Sequence, residues 1–274
     1  MSNESYCVAV YKPLAAAGVL AMAGVLSAAS AQATDLGPGS LKDFPTELPA
    51  PRCAIFHGFY IGGHVGGAIH NWNWQDRDAW ANDLEHELHV GSLSGTDTGV
   101  VGGVQGGFNW QRGCTVLGLE ADWSWANLDS TKVNTDGDTG INTDFLRVRS
   151  QLDGFGTLRT RAGVVVDNLL LYVTGGLAFA DINRRWELED LNPPAREAFS
   201  SSDTRLGVAA GLGAEWAIND FISIKSEALW LRFEDDSVTR FATVFANPDR
   251  NVRFDNQDDV LTARVGLNFR FGGP

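Results

Sequence analysis

The sequence predicts an all-β fold, an eight-stranded antiparallel transmembrane β-barrel of the up-and-down type. From Phe59 onward, short segments alternate apolar with small or polar residues at a period of two, as strands do. The connections between them alternate in length, which is typical of barrels that cross a membrane with strands. Aromatic residues gather at both ends of the segments, where the two membrane interfaces would lie.

Each predicted strand has one apolar face and one face of glycine, polar and charged residues. The eight segments cover residues 59–70, 100–110, 117–125, 158–162, 171–179, 205–216, 222–231 and 261–271. The third is the clearest, because Leu119 and Trp123 alternate with Glu120 and Asp122. In a membrane barrel the apolar face contacts lipid and the polar face lines the interior.

Short and long connections alternate along the chain. Tight turns are predicted at Arg112-Gly113, Asp167-Asn168 and Asn219-Asp220. Long loops are predicted at residues 75–97, 129–149, 181–203 and 233–259. These four segments account for the formal charge of −13, which repels phosphate and excludes a nucleic-acid binder. We expect them to face outward and to attract divalent cations that bridge to lipopolysaccharide phosphates.

Aromatic positions separate a membrane barrel from a soluble, lipocalin-like barrel, whose apolar face would point inward. Near the tight turns lie Trp110, Trp216, Phe269 and Phe271. Near the predicted loops lie Trp72, Trp74, Trp123, Trp125 and Trp230. Two aromatic belts favour a bilayer.

The N-terminal part predicts export. Residues 1–33 combine a short apolar run with the A-x-A pattern Ala31-Gln32-Ala33, as in a cleaved signal peptide. Residues 34–55 predict a flexible periplasmic lead-in, residues 56–271 the barrel, and residues 272–274 a short C-terminal extension.

Five motifs carry a family resemblance. They are GFYIGG (residues 58–63), GGVQGGFNW (102–110), LGLEAD (117–122), YVTGGLA (172–178) and RVGLNFRF (264–271). With these motifs the chain resembles the porin-like outer-membrane β-barrel family of proteobacteria, the outer-membrane immunogenic protein or surface antigen group. The resemblance implies the outer membrane of a Gram-negative bacterium and a role in the envelope or at the surface. Some members are reported to bind hemin.

Charged residues on the predicted inward faces carry both signs. They are Glu120, Asp122, Asp153, Glu215 and Glu227 against Arg159, Arg161, Arg205, Lys225, Arg264 and Arg270. An eight-stranded barrel is just wide enough for side chains to fill it. We therefore expect a salt-bridged plug, with an ion pathway as the alternative.

Two cysteines remain after removal of the signal peptide. Cys53 precedes the first strand and Cys114 opens the third, so both fall at the tight-turn end. In an oxidising compartment this placement predicts a disulfide that ties the lead-in to the barrel rim.

Catalytic, cofactor and metal sites are not predicted. The sequence EHELH (residues 85–89) has only two residues between His86 and His89, whereas the zinc-protease motif has three. These histidines are candidates only for weak contact with a metal or hemin. All five histidines lie between His57 and His89, and no serine at a strand end is marked as a nucleophile, so we expect no enzyme.

The expected function is a structural outer-membrane surface protein that contributes to envelope integrity and surface display. The alternatives are a surface protein that binds hemin or another small ligand through its loops, and a narrow diffusion porin. Expected partners are outer-membrane lipid, lipopolysaccharide and the outer-membrane assembly machinery. The barrel is expected to be a monomer.

Overall fold

A computed structural model describes residues 53–78, 92–135, 145–191, 194–242 and 250–271 of the chain. The predicted signal peptide, the lead-in up to residue 52 and the extension at residues 272–274 lie outside these residues. His86 and His89 lie outside them too. No helix in the described ranges is long and apolar enough to cross a membrane.

Within the described residues, nine strands form one closed sheet. They are β1 (Gly58–Asp76), β2 (Ser92–Arg112), β3 (Thr115–Thr135), β4 (Phe145–Val166), β5 (Leu169–Leu191), β6 (Pro194–Ala217), β7 (Ile222–Phe233), β8 (Asp236–Ala242) and β9 (Arg250–Phe271). Neighbours in sequence pair antiparallel from β1 to β7, β7 pairs with β9, and β9 closes the ring on β1. The short β8 continues β7 along the outer part of β9, so the ring has eight positions and the predicted barrel is confirmed.

The three tight turns lie at the predicted residues. Gly113 has φ +60°, a left-handed conformation that glycine adopts without a Cβ clash. Asp167 has φ 54°, which aspartate tolerates in turns. Asn219 accepts hydrogen bonds on its side-chain oxygen from the backbone N–H groups of Phe221 and Ile222, at 2.8 Å each. We call this end of the barrel the turn end and the opposite end the outer end.

The prediction of four long loops is wrong in extent, because most of their residues are strand. β5 and β6 pair as far as Leu191 and Pro194, through the whole predicted loop 181–203. A membrane crossing needs about 9–11 residues of tilted strand, and six of the strands have 21 to 24. The strands therefore continue well beyond a bilayer.

The ring divides into two sheets toward the outer end. Pairing of β2 with β3 ends at Val101 and Ala126, and pairing of β6 with β7 ends at Gly207 and Phe233. Beyond these points β8, β9, β1 and β2 form one four-stranded sheet, and β3 to β6 form the other. We call this part the outer sandwich; it comprises residues 70–76, 92–99, 127–135, 145–153, 181–191, 194–205, 234–242 and 250–259. The remainder of the strands is the barrel region.

The two sheets of the outer sandwich pack together through an apolar core. Trp186 of β5 stacks on Phe254 of β9 across the sheets, with ring centroids 5.4 Å apart. Trp72 and Trp74 are fully buried in the same core. The prediction that these two tryptophans lie near an interface belt is therefore wrong, since they face inward beyond the barrel region.

Candidate functional site: a closed, charged barrel interior

The interior is layered from the turn end to the outer end. An apolar layer around Phe56 closes the turn end, and a layer of charged side chains follows it. A second apolar layer then contains Leu152, Phe155, Leu229 and Leu231, all with 0% exposure. These layers arise because inward-facing residues at the same height on neighbouring strands meet in the interior.

Arg264 on β9 binds two carboxylates in the charged layer. Its Nη1 lies 2.8 Å from Oδ1 of Asp122, and its Nη2 lies 2.7 Å from Oε2 of Glu227. Arg159 on β4 donates to the same two carboxylates at 2.9 and 3.1 Å. Each carboxylate therefore contacts two guanidinium groups, which compensates the cost of burying these charges.

Glu120 and Glu215 complete the network on the side of the turn end. Glu120 accepts hydrogen bonds from Lys225 at 2.9 Å and from the Tyr60 hydroxyl at 2.6 Å. Glu215 binds Arg161 at 2.9 Å and also accepts hydrogen bonds from Ser223 and Asn268.

The charges of this layer balance. Its members are Glu120, Asp122, Glu215 and Glu227 with Arg159, Arg161, Lys225 and Arg264. Four acidic and four basic side chains, each buried, leave no net charge to attract an ion. The arrangement is a plug of mutually paired side chains, in which Arg161 Nη2 is a buried nitrogen without a hydrogen-bond partner in the described residues.

Two of the inward predictions need revision, those for Arg270 and Asp153. Arg270 lies inside but not in this network, because its guanidinium donates to the carbonyls of Ile55, at 2.6 Å, and Asn219. Asp153 lies on the outer surface, since the β4–β5 register shifts between Leu152 and Gly154. The shift is a β-bulge, which re-aims one side chain. Arg205 is buried inside.

The turn end is closed by the segment that precedes β1. A disulfide joins Cys53 and Cys114, with Cα atoms 5.5 Å apart. The N–H of Ala54 donates to the carbonyl of Asp167, and Gln111 accepts a hydrogen bond from the N–H of Phe56. Phe56 is thereby held 1% exposed at the barrel mouth. The sequence gives no periodic signal for this role, because Phe56 precedes the first strand.

The predicted belt residues lie on the outer surface. Trp110, Trp125 and Trp216 are 67%, 58% and 61% exposed, values that a water-soluble protein seldom shows for tryptophan. Trp230, Phe269 and Phe271 are also exposed, and Trp123 is half-buried against Phe179. From Phe59 to Ile69, β1 presents apolar side chains outward over a length that corresponds to the apolar band of about 25 Å in such barrels.

Sequence reasoning missed a buried ionic group in the outer sandwich. Asp258 binds His70 Nε2 at 2.9 Å and is held by Arg184 through both carboxylate oxygens. Burial by itself would raise the pKa of Asp258. The charge of Arg184 and the hydrogen bond from His70 lower this pKa by a larger amount, so it lies below the usual range. Alternation along the first predicted strand, residues 59–70, predicts that His70 lies on the inward face. Its partners come from β5 and β9, which sequence alone does not bring together.

Metal-binding geometry is absent from the part of the chain that the structure describes: no three His, Cys, Asp or Glu side chains there are grouped to hold an ion. The hypothesis of weak metal or hemin contact at His86 and His89 concerns residues outside that part.

Comparison with known proteins gives consistent matches. A family model described as "Outer membrane protein beta-barrel domain" matches residues 17–271. The 31 kDa outer-membrane immunogenic protein of Brucella melitensis biotype 1 is 32% identical over 259 residues, which cover 92% of this chain and 98% of that protein. The 25 kDa outer-membrane immunogenic protein of Brucella abortus biovar 1 is 26% identical over 242 residues, covering 87% and 92%.

Among solved structures, the outer membrane protein OprG from Pseudomonas aeruginosa aligns with a TM-score of 0.42 at 10% identity. The alignment covers 82% of this chain and 99% of that one.

Proposed function

We propose that the protein has a structural and surface-presenting role in the outer membrane of a Gram-negative bacterium, without enzymatic activity. The chain belongs to the outer-membrane β-barrel proteins, in the outer-membrane immunogenic protein group, and therefore resides in that membrane. The barrel anchors the chain in lipid, and the outer sandwich projects from the membrane as a rigid, water-facing module.

The closed interior carries this proposal. The charged layer is neutral and its charges are paired, and the apolar layer beyond it is built from side chains that are at most 3% exposed. A diffusion pore needs a continuous polar path, and a transporter needs a site with unsatisfied binding groups. Pairing within the layer instead supports a role in which the barrel holds its shape and seals the membrane.

Rigidity of the outer sandwich supports surface display. Its strands are paired to within a few residues of their connections, and its core includes Trp74, Trp186 and Phe254. Such a scaffold of paired strands supports surface display, as sheets carry binding loops in other proteins.

The chemistry of the surfaces supports the proposed partners. The apolar belt contacts outer-membrane lipid, and the residues above it face lipopolysaccharide. The acidic connecting segments attract divalent cations that bridge to its phosphates. The assembly machinery inserts the barrel, which functions as a monomer.

Deletion and complementation test the function. We expect a deletion strain to admit large hydrophobic antibiotics and detergent more readily, and the wild-type gene to restore resistance. Unchanged permeability of the deletion strain would contradict the envelope role.

Conductance of the purified protein in planar lipid bilayers tests the closed interior separately. We expect no defined single-channel steps. Regular steps would instead support the narrow porin.

A further inference from the structure

A groove of about 840 Å³ crosses the lipid-facing surface of the barrel region. Its floor is formed by Gly63 on β1, Gly106 on β2 and Ala121 on β3, which are neighbours across the sheet. Large aromatic side chains stand at its two ends, Phe269 of β9 at one and Trp123 of β3 at the other. The groove is therefore a depression within the apolar belt.

Three inward residues also border the groove, namely Gln105, Asp122 and Thr157. Their side chains are buried in the interior and paired there, since Gln105 donates to Asn268 at 2.6 Å and Thr157 donates to Asp122. The polar atoms of these side chains thus serve the charged layer behind the wall, and the groove itself is apolar.

The groove climbs the barrel wall from the turn end to the outer end. Phe269 pairs with Ile61 near the start of β1, beside the turn end. Trp123 lies close to Ala126, where the pairing of β3 with β2 ends. The strands of a barrel are tilted, so a row of register partners rises along the wall. The groove therefore joins the two aromatic belts and lies inside the hydrocarbon layer.

The fold does not require glycine on the floor of the groove. A Cβ built on Gly63 or Gly106 would meet no atom of another strand closer than 3.5 Å. The adjacent inward glycines differ, because a Cβ on Gly62 or Gly107 would overlap backbone and side-chain atoms. Glycine inside a strand costs stability. Its use at two open, outward positions indicates a partner outside the protein that needs the space.

The surroundings of the groove identify that partner as lipid. The groove is continuous with the exposed apolar belt, which is the membrane-contacting surface of the barrel. A second copy of the chain fits poorly, because a two-fold dimer places the same patch on both sides and one groove would face the other unfilled. A flexible acyl chain can follow an irregular groove and gain packing contacts with its walls, and packing drives association within a bilayer.

The two ends of the groove differ in polarity. The indole of Trp123 lies across β4, with its Cε2 edge, which bears Nε1, over Gly154 and its Cε3 edge over Gly156. Gly154 is the nearer of the two to the outer end, so the indole N–H is directed toward the membrane surface, where it can donate to ester and headgroup oxygens. Phe269, at the other end, has no polar side-chain atom.

We propose that the groove binds one acyl chain of an outer-leaflet lipid, with the ester-linked end at Trp123 and the methyl end toward Phe269. A lipid held in this way stays with the barrel instead of exchanging freely with the bilayer. The inference requires only that the barrel lies in the membrane. It goes beyond the proposed envelope role, and either can fail while the other stands.

Photolabelling of the full-length protein in phosphatidylcholine vesicles tests the proposal. The probe is a phospholipid with a diazirine at the methyl end of one acyl chain or, in a parallel sample, next to the ester, and mass spectrometry locates the adducts. We expect excess labelling around Phe269 and Ile61 by the methyl-end probe and around Trp123 by the ester-end probe. Exposed Val208 and Leu212 on β6, outside the groove, give the background from freely exchanging lipid.

G63L/G106L fills the groove with side chains for which both Cβ positions are open. We expect it to lower the excess labelling about tenfold, because the chain loses its closest contacts. The matched control is G175L, since Gly175 also faces outward, does not line the groove, and would bring a Cβ only to 3.6 Å from the carbonyl of Ala209. It should leave the labelling unchanged.

Heat-modifiable gel mobility shows whether these variants fold. W123F supplies a second test, because it keeps an aromatic wall but removes the indole N–H. It should reduce the excess labelling by the ester-end probe and leave that by the methyl-end probe in place.

The proposal fails if the groove and β6 are labelled equally in the wild-type protein. Equal loss in G63L/G106L and G175L, unchanged ester-end labelling in W123F, or the reverse order of the two probes along the groove would also overturn it. Crosslinks between two copies of the chain in place of lipid adducts would assign the groove to a second copy, against the proposal.

Discussion

The barrel region and the outer sandwich are built from the same strands but have opposite surfaces. On β1, Ile61 and Ile69 face outward in the barrel region, while Trp72 and Trp74 face inward a few residues later. Strand geometry does not change between them, because successive side chains still alternate. What changes is the chemistry of each face, and it follows the surroundings: lipid outside the barrel region, and water outside the sandwich.

The interiors differ in the same sense. The barrel region encloses paired charges, and the outer sandwich encloses aromatic rings as a soluble β-sandwich does. A lipid-facing surface takes the apolar side chains that a soluble protein would bury. Between its two apolar layers, the barrel interior carries charged side chains that are paired with one another.

The largest effect is expected from breaking the charged layer. R264M leaves Asp122 and Glu227 with one guanidinium partner fewer, and such a break in a buried ionic network costs about 3–5 kcal/mol. Urea unfolding of the refolded protein in lipid vesicles measures it. R253Q, in the exposed pair with Asp255, should change the free energy of unfolding by less than about 1 kcal/mol. Equal costs for both variants would contradict the described plug.

Lysine substitution on the outer face of β6 compares the two regions directly. L212K places a charge in lipid near the middle of the belt and should cost about 2–4 kcal/mol. S202K, on the same face of the same strand in the outer sandwich, should cost close to nothing. Both side chains are exposed, so packing does not explain a difference. The same unfolding assay gives the result, and similar costs would remove the boundary between the regions.

Removal of the disulfide should have an effect of similar or smaller size. Cys53 and Cys114 are separated by 61 residues, and constraining such a loop stabilises the folded state by about 2–4 kcal/mol. We expect C53A/C114A to unfold at lower urea concentration and to release the segment around Phe56. A reductant should shift the wild-type protein in the same way and leave the double variant unaffected.

Acid should loosen the outer sandwich first, and this is the smallest effect. The pKa of Asp258 is lowered in the folded state, so its contribution to stability is complete above its ordinary pKa of about 4 and is lost as pH falls through the folded value. Protease cleavage within the sandwich, followed from neutral pH to pH ~3, should therefore rise in the acid range. D258N should be cleaved more readily at neutral pH and show a flatter pH dependence. An unchanged profile in D258N would refute the role of Asp258.

Most of the barrel region is predictable from the sequence, because the apolar residues of each strand stay on the same face throughout this region. Alternation alone predicts that Glu120 and Arg159 face inward, and their register pairing follows because their strands are adjacent. The tight turns are predictable from Gly113 and Asn219. Glycine adopts the left-handed conformation without a Cβ clash, and the asparagine side chain accepts hydrogen bonds from the backbone of the turn. The partners of each buried charge across the ring were not predictable, because they depend on the shear of the closed sheet.

The sequence predicts loops where the outer sandwich forms, and the reason is physical. Its outward faces carry residues such as Arg149 and Glu187, which give the segment the composition of a solvated loop. Its apolar residues, Trp186 and Phe254 among them, lie on the opposite face from the apolar residues of the barrel region. A strand whose apolar face reverses midway loses the single alternating signal by which it is recognised.

The exposure of the outer face of β6 to lipid and to water tests the central claim most directly. Spin labels at L212C and S202C, introduced in C53A/C114A, report collision with oxygen in lipid and with a nickel chelate in water. The label at 212 should collide with oxygen and the label at 202 with the nickel chelate, with the change between residues 204 and 206. Access of the nickel chelate to 212, or of lipid to 202, would contradict a strand that serves a membrane barrel and a water-facing sandwich in turn.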